Sequence, residues 1–89
     1  MQKHFIIAYD ISDAKRVSKI GKLVEKYAMR IQLSIYLYEQ VTQNELMILI
    51  ENIVSLMDEN EDDLRIYRVK NRGISIGKAI DLDNTTIIK

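Results

Sequence analysis

Met29-Arg30-Ile31-Gln32-Leu33-Ser34-Ile35-Tyr36-Leu37-Tyr38 is the stretch that decides the fold of this 89-residue chain. It alternates strictly. Ile31, Leu33, Ile35 and Leu37 take one side, and Arg30, Gln32, Ser34, Tyr36 and Tyr38 take the other, which is the two-residue period of a strand. Read as one long strand, it gives a β-α-β-α-β order and a parallel sheet. Read as a tight hairpin breaking near Leu33-Ser34, it gives β-α-β-β-α-β, the split βαβ of the ferredoxin-like fold. No Gly, Asn or Pro marks that break, so the pattern alone leaves both topologies open.

Working outward, His4-Phe5-Ile6-Ile7-Ala8-Tyr9 is a continuous apolar run, as expected of a strand buried on both faces. Ser12 is placed to cap a following helix. In that helix Val17, Ile20, Leu23, Val24 and Tyr27 fall at helical spacing with lysines between them, and it ends near Ala28. On the other side, Thr42-Gln43-Asn44-Glu45 is a capping box that starts a second helix. The apolar stripe of this helix is Leu46, Leu49, Ile50, Ile53 and Met57. The acidic loop from Asp58 to Asp63 lacks the Gly and closing Glu of a calcium loop and reads as a solvated turn. Leu64 to Val69 reads as a strand, Asn71 to Gly73 as a turn, and Ile74 to Ile76 and Thr85 to Ile88 as short β candidates. Two helices cover only one face of so small a sheet, yet the first strand is apolar on both sides. A second copy of the chain is the simplest cover for the other face, and the limited core of a short chain points the same way.

Composition narrows the chemistry. The absence of cysteine rules out disulfides, thiolate metal sites and cysteine nucleophiles, and it fits a reducing compartment. The N-terminus lacks a secretory pattern, and no segment reaches the roughly 18 apolar residues of a membrane span, so a cytoplasmic location is expected. There is no proline, repeat or linker, so residues 1–89 are expected to form one domain, with a core over 1–70 and a tail over 74–89. Net charge is zero, but the charges are sorted. Lys3, Lys15, Arg16, Lys19, Lys22, Lys26 and Arg30 dominate the first third, whereas every charge from Glu39 to Asp63 is acidic. Such a molecule can present a basic face and an acidic face. His4, early in its strand, is expected to be structural.

Asp10 is the most informative single residue. It closes the first strand where the chain leaves the sheet, and carboxyl ends of strands are where α/β-type folds place ligands. A carboxylate there must be paired, solvated or bound to a cation. Ile7-Ala8-Tyr9-Asp10-Ile11-Ser12, Lys15-Arg16, Arg30-Ile31-Gln32-Leu33-Ser34-Ile35-Tyr36 and Arg65-Ile66-Tyr67 together resemble the CRISPR-associated small endoribonuclease family, the smaller of the two universal spacer-acquisition proteins. The resemblance spans nearly the whole chain in order and spacing.

It implies an α+β, ferredoxin-like βαββαβ sandwich with a short extra C-terminal strand. It also implies a sheet-to-sheet homodimer whose tail strand joins the partner's sheet. Asp10 and its symmetry mate are then expected to share one Mg²⁺ per dimer, which suits a hard cation that keeps several waters and activates water for phosphodiester attack. The implied catalytic set is Asp10, Tyr9, Arg30 and Tyr36. Lys15, Arg16, Lys19 and Arg30 form the implied nucleic-acid track, and Gln32 and Ser34 line the interface or backbone groove. Expected partners are a second copy, the CRISPR integrase protein, and duplex DNA or single-stranded RNA. Two functions follow from the resemblance: an architectural role in spacer acquisition, and Mg²⁺-dependent cleavage of RNA or DNA. A toxin-type ribonuclease and a ligand-binding regulatory dimer share the same architecture and stand as alternatives.

Overall fold

Leu33 and Ser34 turn the chain back on itself, so the hairpin topology is the one adopted. The computed structural model describes residues 3–69 and 82–88. The elements are β1 (Lys3–Asp10), α1 (Ala14–Glu25), β2 (Met29–Gln32), β3 (Ile35–Val41), α2 (Gln43–Leu56), β4 (Asp63–Val69) and β5 (Leu82–Ile88). They build one antiparallel sheet in the order β2-β3-β1-β4-β5, with two helices, a ferredoxin-like α+β arrangement with an added fifth strand. The turn closes without glycine because Ser34 takes the left-handed conformation (φ 67°), a strain of roughly 1–2 kcal/mol for an L-residue. The Ser34 carbonyl is held by the Tyr9 backbone N–H at 3.1 Å, which ties the turn to the carboxyl end of β1.

The hairpin also sorts the alternating residues. Tyr36 and Tyr38 of β3 are buried on the helix side with Phe5, Ile7 and Tyr9 of β1 and Leu64 and Ile66 of β4. From the helices, Ile20 and Val24 of α1 and Leu46, Leu49, Ile50 and Ile53 of α2 close this core. Thus the two tyrosines, not Ile35 and Leu37, face the helices. Ile35 and Leu37 lie opposite Ala8 and Ile6 in register, on the face the helices leave uncovered. Ile6 is already 97% hidden there, at 3% exposure, with Leu37 and Tyr67 as its register neighbours. The uncovered face is therefore narrower than the sequence pattern suggested.

Local signals are partly corrected. The cap of α1 is Asp13, whose carboxylate accepts from the Arg16 backbone N–H at 3.0 Å, rather than Ser12. The helix ends at Glu25, three residues before Ala28, and its closing turn has the Tyr27 and Ala28 N–H groups both donating to the Val24 carbonyl. The capping box of α2 forms as read, with Thr42 Oγ1 accepting from Glu45 N–H at 3.1 Å and Glu45 Oε1 accepting from Thr42 N–H at 2.8 Å. His4 accepts the Gln40 N–H through Nδ1 at 3.1 Å. Gln40 has φ 56° and sits where the β1–β3 register slips, so His4 holds a bulge.

β5 contains the Thr85–Ile88 strand candidate and pairs with β4 of its own chain, from Leu64 opposite Ile88 to Val69 opposite Leu82. The resemblance led to a tail strand on the partner's sheet. In the single chain the strand lies along the edge of β4. The Asn71–Gly73 turn and the Ile74–Ile76 candidate lie outside the described residues.

Candidate metal and nucleic-acid site

β1 runs apolar until Asp10, its last residue, which is exposed. In register, Asp10 stands opposite Asp63, the first residue of β4, and Ala8 stands opposite Arg65. Side chains two positions apart on a strand share a face. Ala8, Asp10, Asp63, Arg65 and Tyr67 therefore lie on the sheet face away from the helices, and with Tyr9 they line a depression of about 270 Å³. Two carboxylates and a guanidinium meet at one end of the uncovered face. Only the first of the three has a site role in the sequence reading, although Arg65 stands in the family motif quoted there.

Asp62, one residue from Asp63, points the other way and is buried (2% exposed). The acidic loop is therefore not wholly a solvated turn. The Asp62 carboxylate accepts from Arg16 Nε at 2.8 Å, Asp58 N–H at 2.9 Å, Ser12 N–H at 3.1 Å and Ser12 Oγ at 3.2 Å. Arg16 Nη2 also reaches Glu61 Oε1 at 3.2 Å. The hydrogen bond from Arg16 outweighs burial and holds the Asp62 carboxyl well below the usual carboxylate range, while the same bond pushes the Arg16 guanidinium higher. This clasp ties the start of α1 to the loop before β4, beside the Asp10 end of the sheet. It also commits the Arg16 guanidinium, placed on the nucleic-acid track by the sequence reading, to intramolecular partners. By contrast Lys15, Lys19, Lys22 and Lys26 are exposed along α1.

The other predicted catalytic residues gather on the opposite face. The Tyr9 and Tyr36 rings stack with centroids 5.9 Å apart, and the Tyr9 hydroxyl donates to the Tyr36 hydroxyl at 3.3 Å. Both hydroxyls lie 3.5 Å from where a side chain on Gly21 of α1 would begin. Burial, then the Tyr36 hydrogen bond, pushes the Tyr9 phenol well above its ordinary range, so it stays protonated. The Arg30 guanidinium carbon lies 5.8 Å from the Tyr36 ring centroid, and its Nη1 is 3.7 Å from Glu25. Within one protomer, Tyr9, Arg30 and Tyr36 form a helix-side cluster, and Asp10 is separated from it by the sheet. Gln32 is exposed beside the half-buried Ser34 at the hairpin.

A family model described as "CRISPR associated protein Cas2" matches residues 3–75. The chain belongs to the Cas2 family. It is 36% identical over 70 residues to a Nitrosomonas europaea protein named CRISPR-associated endoribonuclease Cas2 1, a match covering 79% of this chain and 66% of that one. It is 32% identical to a Halalkalibacterium halodurans protein named CRISPR-associated endonuclease Cas2, covering 92% of this chain and 96% of that one. Among solved structures it is similar to a hypothetical protein from Thermus thermophilus, with TM-score 0.77, 29% identity, and coverage of 93% of this chain and all of that one. The expected family and the ferredoxin-like Cas2 fold are thus both borne out. Among the described residues, no helix is long and apolar enough to cross a membrane, and no group of three or more His, Cys, Asp or Glu side chains is arranged to hold a metal ion.

Proposed function

We propose that this Cas2-family protein acts in CRISPR adaptation as a homodimer that grips duplex DNA along α1 and bridges the integrase subunits. The observation that carries this reading is the stripe of exposed lysines, Lys15, Lys19, Lys22 and Lys26, along α1. Eleven residues of helix separate the first from the last, about 16 Å of axis, enough for phosphate contacts along several nucleotides of a duplex. Sequence-independent binding of this kind needs no catalytic group. Half-buried Ile35 and Leu37 beside Ala8 on the uncovered sheet face support pairing of two copies sheet to sheet.

A second activity, Mg²⁺-dependent cleavage of RNA or DNA, is favoured by one specific observation: Asp63 stands in register with Asp10. Mg²⁺ is commonly held by one or two carboxylates with water completing its shell. One protomer offers that pair, and a two-fold axis beside Asp10 would double it. When bound, the ion supplies charge stabilisation to a phosphodiester and acidity to a coordinated water. The chain's own part is to hold the hard oxygen ligands at a strand end that the helices leave open.

The readings separate by experiment. Replacing Lys15 and Lys19 by Ala is expected to lower the slope of log affinity against log salt for duplex DNA by about 0.9 per contact removed. An unchanged slope takes α1 off the DNA track. Asp10→Asn is expected to abolish Mg²⁺-dependent cleavage while leaving duplex affinity intact. If the wild-type protein cleaves neither RNA nor duplex DNA, the nuclease activity is refuted. If a dimeric Asp10→Asn protein loses spacer acquisition in cells, the purely architectural role is refuted.

A further inference from the structure

A helix lying on a sheet normally turns a polar face to water. α2 turns Leu46, Leu49, Ile50 and Ile53 to the core, yet its outer side carries Met47 at 43% and Ile48 at 59% exposure. Glu45, Ile48, Leu49 and Asn52 recur at the three- and four-residue steps of one helix face. Together with Tyr27, just past α1, and Tyr38 of β3 they line a groove of about 190 Å³. Tyr38 packs on the helix side of the sheet, so a dimer formed sheet to sheet leaves this groove open to solvent.

Size and charge decide what fits there. Ligand pockets run from about 300 Å³ upward, so this groove takes one or two side chains rather than a whole small molecule. Its rim is acidic. Glu45 lines it, and Glu51 lies one turn from Ile48 on the same helix; both are exposed. Neither makes an ion pair with any described residue, and no Lys or Arg occurs between Glu39 and Asp63. Carboxylates at the rim repel phosphate, which turns away nucleic acid and the anionic surface of a membrane. A second copy would have to meet them with the lysines of α1. Residues 15–26 expose only lysines, Ser18 and Glu25, and none of these is an apolar side chain that could fill the groove. What matches is a segment of another protein with an apolar anchor flanked by Lys or Arg. The groove begins at Tyr27, one residue past Lys26, the last of the exposed lysines, so a protein seated in it stands beside duplex DNA on α1.

We propose that the outer face of α2 is the surface that receives the integrase, through a cationic segment that sets one apolar side chain against Ile48 and its Lys or Arg against Glu45 and Glu51. This rests on the bridging role proposed above and gives that role a contact surface distinct from the DNA track and from the dimer face.

The test titrates the purified integrase into the dimer by calorimetry, without DNA and at several salt concentrations. Ile48→Gln, at an exposed position, is expected to weaken binding about tenfold with the salt dependence unchanged. Glu51→Gln is expected to weaken binding about threefold and to flatten its salt dependence, and Glu51→Lys to weaken it further. Dimer mass by sedimentation is expected to match the wild type in all three, and duplex affinity to match it in Ile48→Gln. If Ile48→Gln and Glu51→Lys bind the integrase as the wild type does, this surface is refuted and the bridging role stands. If the wild type does not bind the integrase, the bridging role is refuted and the inference with it. If Ile48→Gln instead lowers the mass of the protein on its own, the groove holds a second copy, and the proposal is overturned.

Discussion

Replacing Asp62 by Asn tests whether the clasp between α1 and the β4 loop governs stability at the Asp10 end. The substitution keeps size and shape but removes the charge and turns one acceptor oxygen into a donor. Oδ2 accepts from Arg16 Nε at 2.8 Å and Asp58 N–H at 2.9 Å, whereas Oδ1 accepts both Ser12 groups and Arg16 Nη2 at 3.3 Å. Asn keeps one of these acceptor oxygens and presents an NH₂ group, which faces donors, in place of the other. Breaking a fully buried ion pair costs about 3–5 kcal/mol, and exposed pairs are worth less than about 1. Here the Asp62 side chain is buried but Arg16 is 25% exposed, which places the loss near 2 kcal/mol at neutral pH. For a domain of this size that is a drop in Tm of roughly 10 °C. The pH dependence carries the sharper signature. A carboxyl whose folded pKa is depressed adds stability above its unfolded value, near 4, and loses it as pH falls toward the folded value. Wild type and variant are therefore expected to differ by about 2 kcal/mol at pH 7 and to converge as pH falls below about 4. Urea unfolding followed by circular dichroism at pH 7 and pH 3 measures this, at one fixed protein concentration because dimerisation shifts the midpoint. A gap equal at both pH values, or no gap at pH 7, would refute the reasoning.

Two substitutions probe the helices. Gly21→Ala in α1 is expected to raise stability by up to about 1 kcal/mol through helix propensity, since the added carbon would meet the Tyr9 and Tyr36 hydroxyls at an ordinary 3.5 Å. A loss of stability on thermal unfolding would mean that the tyrosine pair cannot accept even that contact. Thr42→Ala removes one half of the α2 capping box and is expected to cost about 1 kcal/mol, read as a lower urea midpoint with an unchanged transition slope.

What was legible in the chain was what depends on neighbours close in sequence. The α2 capping box and apolar stripe are local, and both were read correctly. The hairpin was not settled by the local pattern, because its turn lacks the usual Gly or Asn; the family resemblance implied it, and the structure adopts it. Ser34 bears the positive φ with support from Tyr9 N–H, a residue 25 positions away in sequence. The same limit separates Asp62 from Asp63. Side by side in sequence, they looked alike in an acidic run. The strand period sends one inward to Arg16 and the other to the face of Asp10. Parity along β4 was readable from Leu64 and Ile66, and it already set Asp63, Arg65 and Tyr67 on the opposite side. Missing was the register of β4 against β1, which only assembly of the sheet supplies. That register decides which side chains share a face. Tyr9 and Asp10 are adjacent in sequence and seemed parts of one centre, yet one consecutive step along a strand reverses direction and puts them on opposite faces. Of the cations that the motif placed on phosphate, Arg16 is engaged by Asp62 at 2.8 Å, whereas Arg30 is exposed, with Glu25 no nearer than 3.7 Å. Arg65, which no helical or capping pattern marked, is the one aligned with Asp10. A strand-end site of this kind is defined by cross-strand partners, which the local pattern along a single strand does not reveal.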